Sequence, residues 1–323
     1  MKRLVKNILL ALIGFCLLVF AIKDLPLQKL GATLMQANYE LIIPVFAVTL
    51  FGYFIRIKRW LLLFKQIDAN ITQRSAWVAL CAGYLVSYAI PRGGEITRCL
   101  LIKRYNSVPI NISLASVIID RLADTVMLVL LIVGIVLFNV QGIATFFTTN
   151  IFQPIWAMLP NPIILILLSI GIIGTLLAYV FFNRKNIHTN NFSWADEFIV
   201  NFRQLARINK PITFISYTLL IWFCYFLMTY FWIFAFDESA ALPILQVFVI
   251  MIIGTIGKSV PIQGGGMGAY HFLVAQVFIL YGISEITGNA LAIIIHGAQS
   301  IFTLLSGIIA YSILMYDEKK RNL

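Results

Sequence analysis

Apolar runs recur along this chain from Ile8 to Met315 with no long polar block between them. This pattern constrains the fold more than any motif does, because roughly 20 apolar helical residues, within a range of about 17–25, span a bilayer core. Hydrophobic residues make up 61% of the 323 and charged residues only 11%, whereas soluble domains carry about 25% charged residues. A water-soluble globule is thereby excluded. The chain reads as one membrane-embedded, all-α domain over residues 1–323. Lys and Arg together number 24 against 13 acids, a formal +11. In a membrane protein such an excess sets orientation and touches anionic lipid; a nucleic-acid partner would have no soluble module to meet. Cys16, Cys81, Cys99 and Cys224 lie in or beside apolar runs with no close pair. They read as packing residues, not as disulfides or metal ligands, and neither metal nor cofactor is expected.

The first run, Ile8 to Ile22, follows a basic start but precedes no Ala-x-Ala-type cleavage site, so it reads as a retained helix. Further runs occupy 41–57, 76–90, 110–138, 162–182, 211–235, 242–257, 269–282 and 287–316. Two neighbourhoods are broken, one by Pro91-Arg92-Gly93-Gly94 and one by Pro261-Ile262-Gln263-Gly264-Gly265-Gly266-Met267-Gly268. After the first break only Glu95 to Ile102 remains before Lys103 and Arg104. That is roughly 12 Å of helix at about 1.5 Å per residue, too short for about 30 Å of hydrocarbon. Ala269 to Tyr281 is too short as well. Both segments are expected to turn back inside the membrane, giving about six full spans plus two re-entrant helical hairpins. Unwound backbone at that depth is tolerated only where it is buried in protein or lines a wet cavity.

This count puts both termini on one side. Eighteen of the 24 cations then fall in that side's loops, among them Arg56, Lys58, Arg59, Lys103, Arg104 and Arg207, with only Lys23 and Lys29 opposite. The positive-inside rule makes the crowded side cytoplasmic, as in a bacterial inner membrane. The first hairpin, 75–104, then enters from the cytoplasm and the second, 242–282, from outside. Each is preceded by one span and followed by a long one. An inverted repeat follows, with half-repeats at about 41–138 and 211–316, an arrangement that in transporters places the site near the midplane. Leu27, Leu30 and Leu34 suit an outer interfacial helix. Trp194, Phe198, Phe202 and Leu205 line one face of a basic segment that either lies on the inner leaflet or packs on the bundle. The uncharged stretch 141–162 faces outward as a loop or lid.

A charge at a helix centre costs about 2.5–3.5 kcal/mol on insertion scales, so each one asks for a partner. The run 110–138 holds Asp120, Arg121 and Asp124. Asp120 and Asp124 share a helix face, and Arg121 stands three residues from Asp124, close enough to pair. Glu95 and Arg98 repeat that spacing beside Arg92. Lys258 precedes the second break, Gln263 and His271 lie in and after it, and His296 sits in the last run three residues before Gln299. One reading is that these groups neutralise each other and pin broken helices together, as interhelical polar contacts do for about 0.6 kcal/mol each. The other is a ligand pocket, because glue does not require three consecutive glycines. Pro91, Gly93, Gly94, Pro261, Gly264, Gly265, Gly266 and Gly268 would supply hinges and close backbone approach. Cations exceed Glu95, Asp120 and Asp124, and helix N-termini at the breaks add positive potential. Phosphate is the natural ligand, held bidentately by Arg. The three His have no metal spacing. A neutral His296 bonded to a neighbour such as Gln299 is expected, with a proton-coupled role for His271 or His296 as the alternative.

With these residues in view, the chain resembles the lysylphosphatidylglycerol synthase transmembrane-region family, flippase-like membrane proteins, over nearly its whole length. The resemblance is carried by Gly94-Glu95-Ile96-Thr97-Arg98, by Asp120-Arg121-Leu122-Ala123-Asp124, by Pro261 through Gly268, and by Tyr281-Gly282. There are departures. Asp120 stands where the acid is commonly Glu, His271 where a Glu commonly follows the late glycines, and His296 where an Arg is common. Headgroup identity therefore does not transfer. Nor does the sequence carry a soluble aminoacyl-transferase domain, so the resemblance implies the lipid-translocating half alone.

Three readings stay open. The first is a flippase for a lipid or lipid-linked precursor, with Arg92, Arg98, Arg121 and Lys258 on phosphate of an anionic or polyprenyl-phosphate lipid. In it Glu95, Asp120 and Asp124 orient those cations or bind an amine or sugar, and Gln263, His271 and His296 line the pocket. The second is an intramembrane lipid-phosphate enzyme, against which stands the absence of HExxH, GxSxG and Walker patterns. The third is a non-transporting partner of a lipid-modifying enzyme. Without an ATP-binding motif, movement would be downhill or gradient-driven.

Overall fold

The computed structural model describes residues 26–67, 69–137, 194–260 and 263–321. The runs expected at 8–22 and 162–182, the stretch 141–162 and Pro261 lie outside these residues. Among the described residues every element is helical. They are α1 (Leu27–Gln36), α2 (Ile42–Phe64), α3 (Gln73–Ala89), α4 (Gly93–Asn106) and α5 (Ile110–Leu137), then α6 (Trp194–Ala206), α7 (Pro211–Trp232) and a short α8 (Asp237–Ala240). The series ends with α9 (Ile244–Ser259), α10 (Ala269–Leu280) and α11 (Glu285–Arg321). Among these residues three segments, Tyr39–Ile67, Pro211–Ala235 and Glu285–Asp317, are long and apolar enough to cross a membrane, and the chain is an integral membrane protein. At 28 residues α5 is long as well, but Asp120, Arg121 and Asp124 interrupt its apolar run.

Local chemistry sets the helix ends. The Thr72 hydroxyl accepts from the Ser75 N–H at 3.1 Å and caps α3. α3 stops at Ile90, in extended backbone, because the residue before a proline is pushed out of the α region. α4 restarts after Arg92, itself in the left-handed region at φ +62°. The two helices of this hairpin approach so closely that a Cβ on Gly94 would lie 2.0 Å from the Gly83 carbonyl oxygen. In the second hairpin, Gly264, Gly265 and Gly266 have φ of +69°, +67° and +83°, and Gly268 has +85°. Residues with side chains rarely adopt such values in succession, which accounts for the run of glycines.

The helices α2 to α5 contain 23, 17, 14 and 28 residues, and α7, α9, α10 and α11 contain 22, 16, 12 and 37. Each set is a long helix, a short pair that folds back on itself, and a longer helix. Two apolar cores form. One joins Val45 at the start of α2, Ile135 at the end of α5 and Trp232 at the end of α7 to the second hairpin and the first half of α11. The other joins Trp60 and Phe64, Ala115 and Phe214, from the opposite ends of the same three helices, to the first hairpin and Ala310. The hairpins therefore pack at opposite ends of one bundle, and the middles of α2, α5 and α7 face each other between the cores.

One expectation changes here, and one open alternative is decided. The run 41–57 was expected to end at cytoplasmic loop cations, yet α2 continues to Phe64 with Arg56 and Arg59 buried inside the bundle. The helix runs through them because carboxylates on α5 meet their charges. The basic amphipathic segment α6 packs on the bundle: Phe202 and Leu205 enter the core beside α5, and Asn111 Nδ2 donates to Glu197 Oε2 at 2.8 Å. α1 sets Leu30 against Ala290 of α11. Cys81, Cys99 and Cys224 are buried free thiols.

Candidate functional site

At mid-bundle four arginines surround three carboxylates. Asp120 is fully buried. Its Oδ1 accepts from Arg59 Nε at 3.1 Å and Nη2 at 2.8 Å. Arg121 Nη2, Arg98 Nη1 and Arg56 Nη1 lie 3.6, 3.7 and 3.9 Å from its Oδ2. Asp124 sits one turn further along α5, with Oδ2 accepting from Arg56 Nη1 at 3.2 Å and Oδ1 lying 2.8 Å from Arg59 Nη2. Arg56 also donates to the Tyr225 hydroxyl, and Arg59 Nη1 donates to Thr218 at 3.1 Å. Glu95 reaches Arg121 Nε at 3.8 Å. The predicted pairings within one helix, Arg121 with Asp124 and Glu95 with Arg98, give way to pairings between helices. Arg98, 1% exposed, has no hydrogen-bond acceptor among the described residues for any of its nitrogens; its guanidinium lies 4.1 Å from the Trp60 ring centre, a cation–π contact that meets charge without a hydrogen bond. Four arginines against three acids leave the cluster with one net positive charge.

A cavity of about 500 Å³ opens beside this cluster. Arg56, Arg121 and Asp124 form one wall and Lys258 stands on another, joined by Tyr53, Tyr84, Tyr88, Tyr225 and Tyr270. Thr49, Thr125, Thr229, Thr255, Thr303 and Gln299 complete most of the polar lining, with Trp222 among the apolar groups. Lys258 has no carboxylate within 4 Å among the described residues, and its Nζ lies 5.1 Å from the Tyr270 ring centre. The cavity lies where the two breaks meet. Tyr88 of α3 stands beside Gly265, whose Cβ position would be 3.3 Å from the Tyr88 hydroxyl, and Tyr88 donates to Ser300 of α11 at 2.8 Å.

The histidines hold this glycine turn. His271 Nδ1 accepts from the Gly268 N–H at 3.2 Å, which requires an unprotonated Nδ1. His296 Nε2 lies 3.2 Å from the Gly265 carbonyl oxygen, so Nε2 carries a proton and donates. The two rings meet edge to face at 4.8 Å. The partner of His296 is thus Gly265 and not Gln299.

Of the residues singled out in the sequence, Arg121, Asp124, Lys258 and Gly265 line the cavity. Asp120 and Arg98 form the buried layer behind it, and Glu95 ties Arg121 from the side. His271 and His296 support the turn from behind. Arg92 is exposed on the first turn and does not line the cavity. Pro91, Gly93 and Gly94 shape that turn and the crossing of its helices; Gly264, Gly266 and Gly268 shape the other. The side chain of Gln263 lies outside the described residues. Sequence reasoning missed Arg56, Arg59 and the tyrosines. A signal for the arginines was present in the apolar stretch Trp60 to Phe64, which continues the helix past them. The tyrosines come from α2, α3, α7 and α10; Tyr84 and Tyr88 of α3 stand four residues apart, but nothing in the sequence ties them to the other three. No group of three or more metal-ligating side chains occurs among the described residues.

The family model described as the lysylphosphatidylglycerol synthase TM region matches residues 7–307. No curated protein and no solved structure gives a significant match.

Proposed function

This chain belongs to the lysylphosphatidylglycerol synthase TM region family, a membrane lipid-related family, and on that premise we propose that it is a lipid translocator of the flippase type. The phosphate-bearing headgroup of an anionic or polyprenyl-phosphate lipid enters the central cavity while the acyl or prenyl tails stay in the bilayer. The single observation that carries this reading is the cavity itself. It lies at the meeting point of two broken helical hairpins, and Arg56, Arg121 and Lys258 on its walls face one carboxylate that is already paired.

In this reading the hairpins are re-entrant and the two sets of helices form an inverted repeat. Their packing at opposite ends of the bundle supports that view. Both termini lie in the cytoplasm, and the membrane is a bacterial inner membrane. Arg121 holds the phosphate, because its partly exposed guanidinium lines the cavity and charge-assisted hydrogen bonds are worth about 1.5–3 kcal/mol, while Arg56, with both Nη atoms engaged by Asp124 and Tyr225, adds positive charge to the same wall. Asp120, Arg59 and Arg98 are positioning residues that fix that pair from behind. The chain acts as a carrier and not as an enzyme.

A second reading, a non-transporting partner of a lipid-modifying enzyme, draws on the burial of Arg59, Arg98 and Asp120, which satisfies much of the charge internally. Native mass spectrometry of the mildly solubilised protein separates the two. Wild type is expected to retain one anionic or polyprenyl-phosphate class that Arg121→Ala loses by about ten- to a hundred-fold. Equal retention of bulk lipid by both would move the partner reading ahead.

A further inference from the structure

We infer that Glu95 is a release residue: it competes with the phosphate of the bound headgroup for the Arg121 guanidinium and draws that arginine back as the lipid leaves. The inference rests on the headgroup site proposed above and concerns how that site lets its ligand go. The four arginines of the cluster are held very differently. Arg56 donates to Asp124 and Tyr225. Arg59 donates to Asp120 and Thr218 and lies 2.8 Å from Asp124. Arg98 is sealed against Trp60 and does not line the cavity. Arg121 does line it, yet among the described residues its guanidinium makes no hydrogen bond. Its two carboxylate neighbours stand beyond ordinary hydrogen-bond reach, Asp120 at 3.6 Å and Glu95 at 3.8 Å.

Asp120 is poorly placed to tighten on Arg121. Its Oδ1 is taken by Arg59. Its Oδ2 accepts no hydrogen bond and is shared by the guanidinium groups of Arg121, Arg98 and Arg56 at 3.6, 3.7 and 3.9 Å. Arg121 is thereby the loosest cation on the cavity wall, and a phosphate there offers it the charge-assisted hydrogen bonds that it lacks. Glu95 pulls from outside the cavity. It stands on the first turn of α4, its side chain is 41% exposed, and Arg121 is its one ion-pair partner among the described residues. Phosphate and Glu95 are both anions, so a guanidinium that tightens on one loosens from the other. The exchange keeps Arg121 neutralised with and without lipid, and it weakens the hold on a headgroup that has to depart.

The test compares the full wild-type chain with Glu95→Gln and Glu95→Asp. Native mass spectrometry measures retention of phosphatidylglycerol and of a polyprenyl phosphate, and liposomes carrying a headgroup-reporter phosphatidylglycerol measure translocation. Loss of a partly exposed ion pair predicts retention about two- to fivefold higher in Glu95→Gln. Translocation should slow by a similar factor, because such gains lie mostly in the dissociation rate. Glu95→Asp keeps the charge but draws it back from Arg121, and should change both in the same direction by less; it carries the test if a thermal melt shows Glu95→Gln to be poorly folded. In an Arg121→Ala background Glu95→Gln should leave retention unchanged, since no guanidinium remains to be contested. Retention unchanged or lowered in folded Glu95→Gln would overturn the inference, make Glu95 a structural tie and leave the phosphate site standing. Raised retention without slower translocation, or an equal rise in the Arg121→Ala background, would overturn it as well. Both lipids retained alike by wild type and Arg121→Ala would instead overturn the proposed function.

Discussion

Asp120 has four arginines within 4 Å, so its charge is the one the cluster can least lose. Removing one partner of a buried ion pair costs about 3–5 kcal/mol because the other is left uncompensated, and here several guanidinium groups would be left. Asp120→Asn is expected to lower stability by at least that amount and to reduce folded yield, as a thermal melt in detergent would register. Arg121→Ala should differ in kind. Its side chain is 38% exposed and lines the cavity, and its loss leaves Asp120 with three other arginines. The melt should shift little while anionic-lipid retention falls. The acids were legible in the sequence because Asp120 and Asp124 stand in an apolar run where charge must be explained. Their main partners were not. Arg56 and Arg59 look like loop cations until the helix is seen to continue through them, and pairing across helices leaves no mark in local spacing.

At the scale of elements, the glycine turn between α9 and α10 is the most constrained piece of backbone. A Cβ on Gly266 would lie 2.5 Å from the Gly257 carbonyl oxygen, a backbone atom with nowhere to move. A Cβ on Gly264 would meet only the flexible Met267 side chain at 2.8 Å. Left-handed backbone costs an ordinary residue about 1–2 kcal/mol, and Asn less. Gly266→Ala is therefore expected to destabilise by more than 2 kcal/mol and Gly264→Asn by under about 1 kcal/mol, measured as the shift between the two melts. Equal shifts would mean the turn is not packed as described. The break itself was legible, since Gly-Gly-Gly-x-Gly has no place in a continuous helix. The role of the histidines was half legible: neutral and bonded, but to the turn and not to Gln299.

For the whole molecule, the repeated order of helix lengths and the two cores at opposite ends were foreshadowed by the spacing of the breaks. The cavity was not, because its walls are drawn from α2, α3, α5, α7, α9, α10 and α11 together. The proposed orientation has a direct test. With Cys16 replaced by Ser, and the other thiols buried, a membrane-impermeant thiol reagent applied to intact cells should label Glu285→Cys. Lys319→Cys should react only after the cells are opened. The reverse pattern would invert the topology.

The claim at the centre of this account is that a lipid headgroup passes through the cavity between the hairpins. Reconstituting wild type and Arg121→Ala at equal protein density in liposomes that carry a headgroup-reporter phosphatidylglycerol measures it directly. Wild type is expected to expose inner-leaflet reporter to an external reductant within the assay. The variant, equally folded, should do so at least tenfold more slowly. Equal rates for the two, or wild-type liposomes no faster than protein-free ones, would contradict the account.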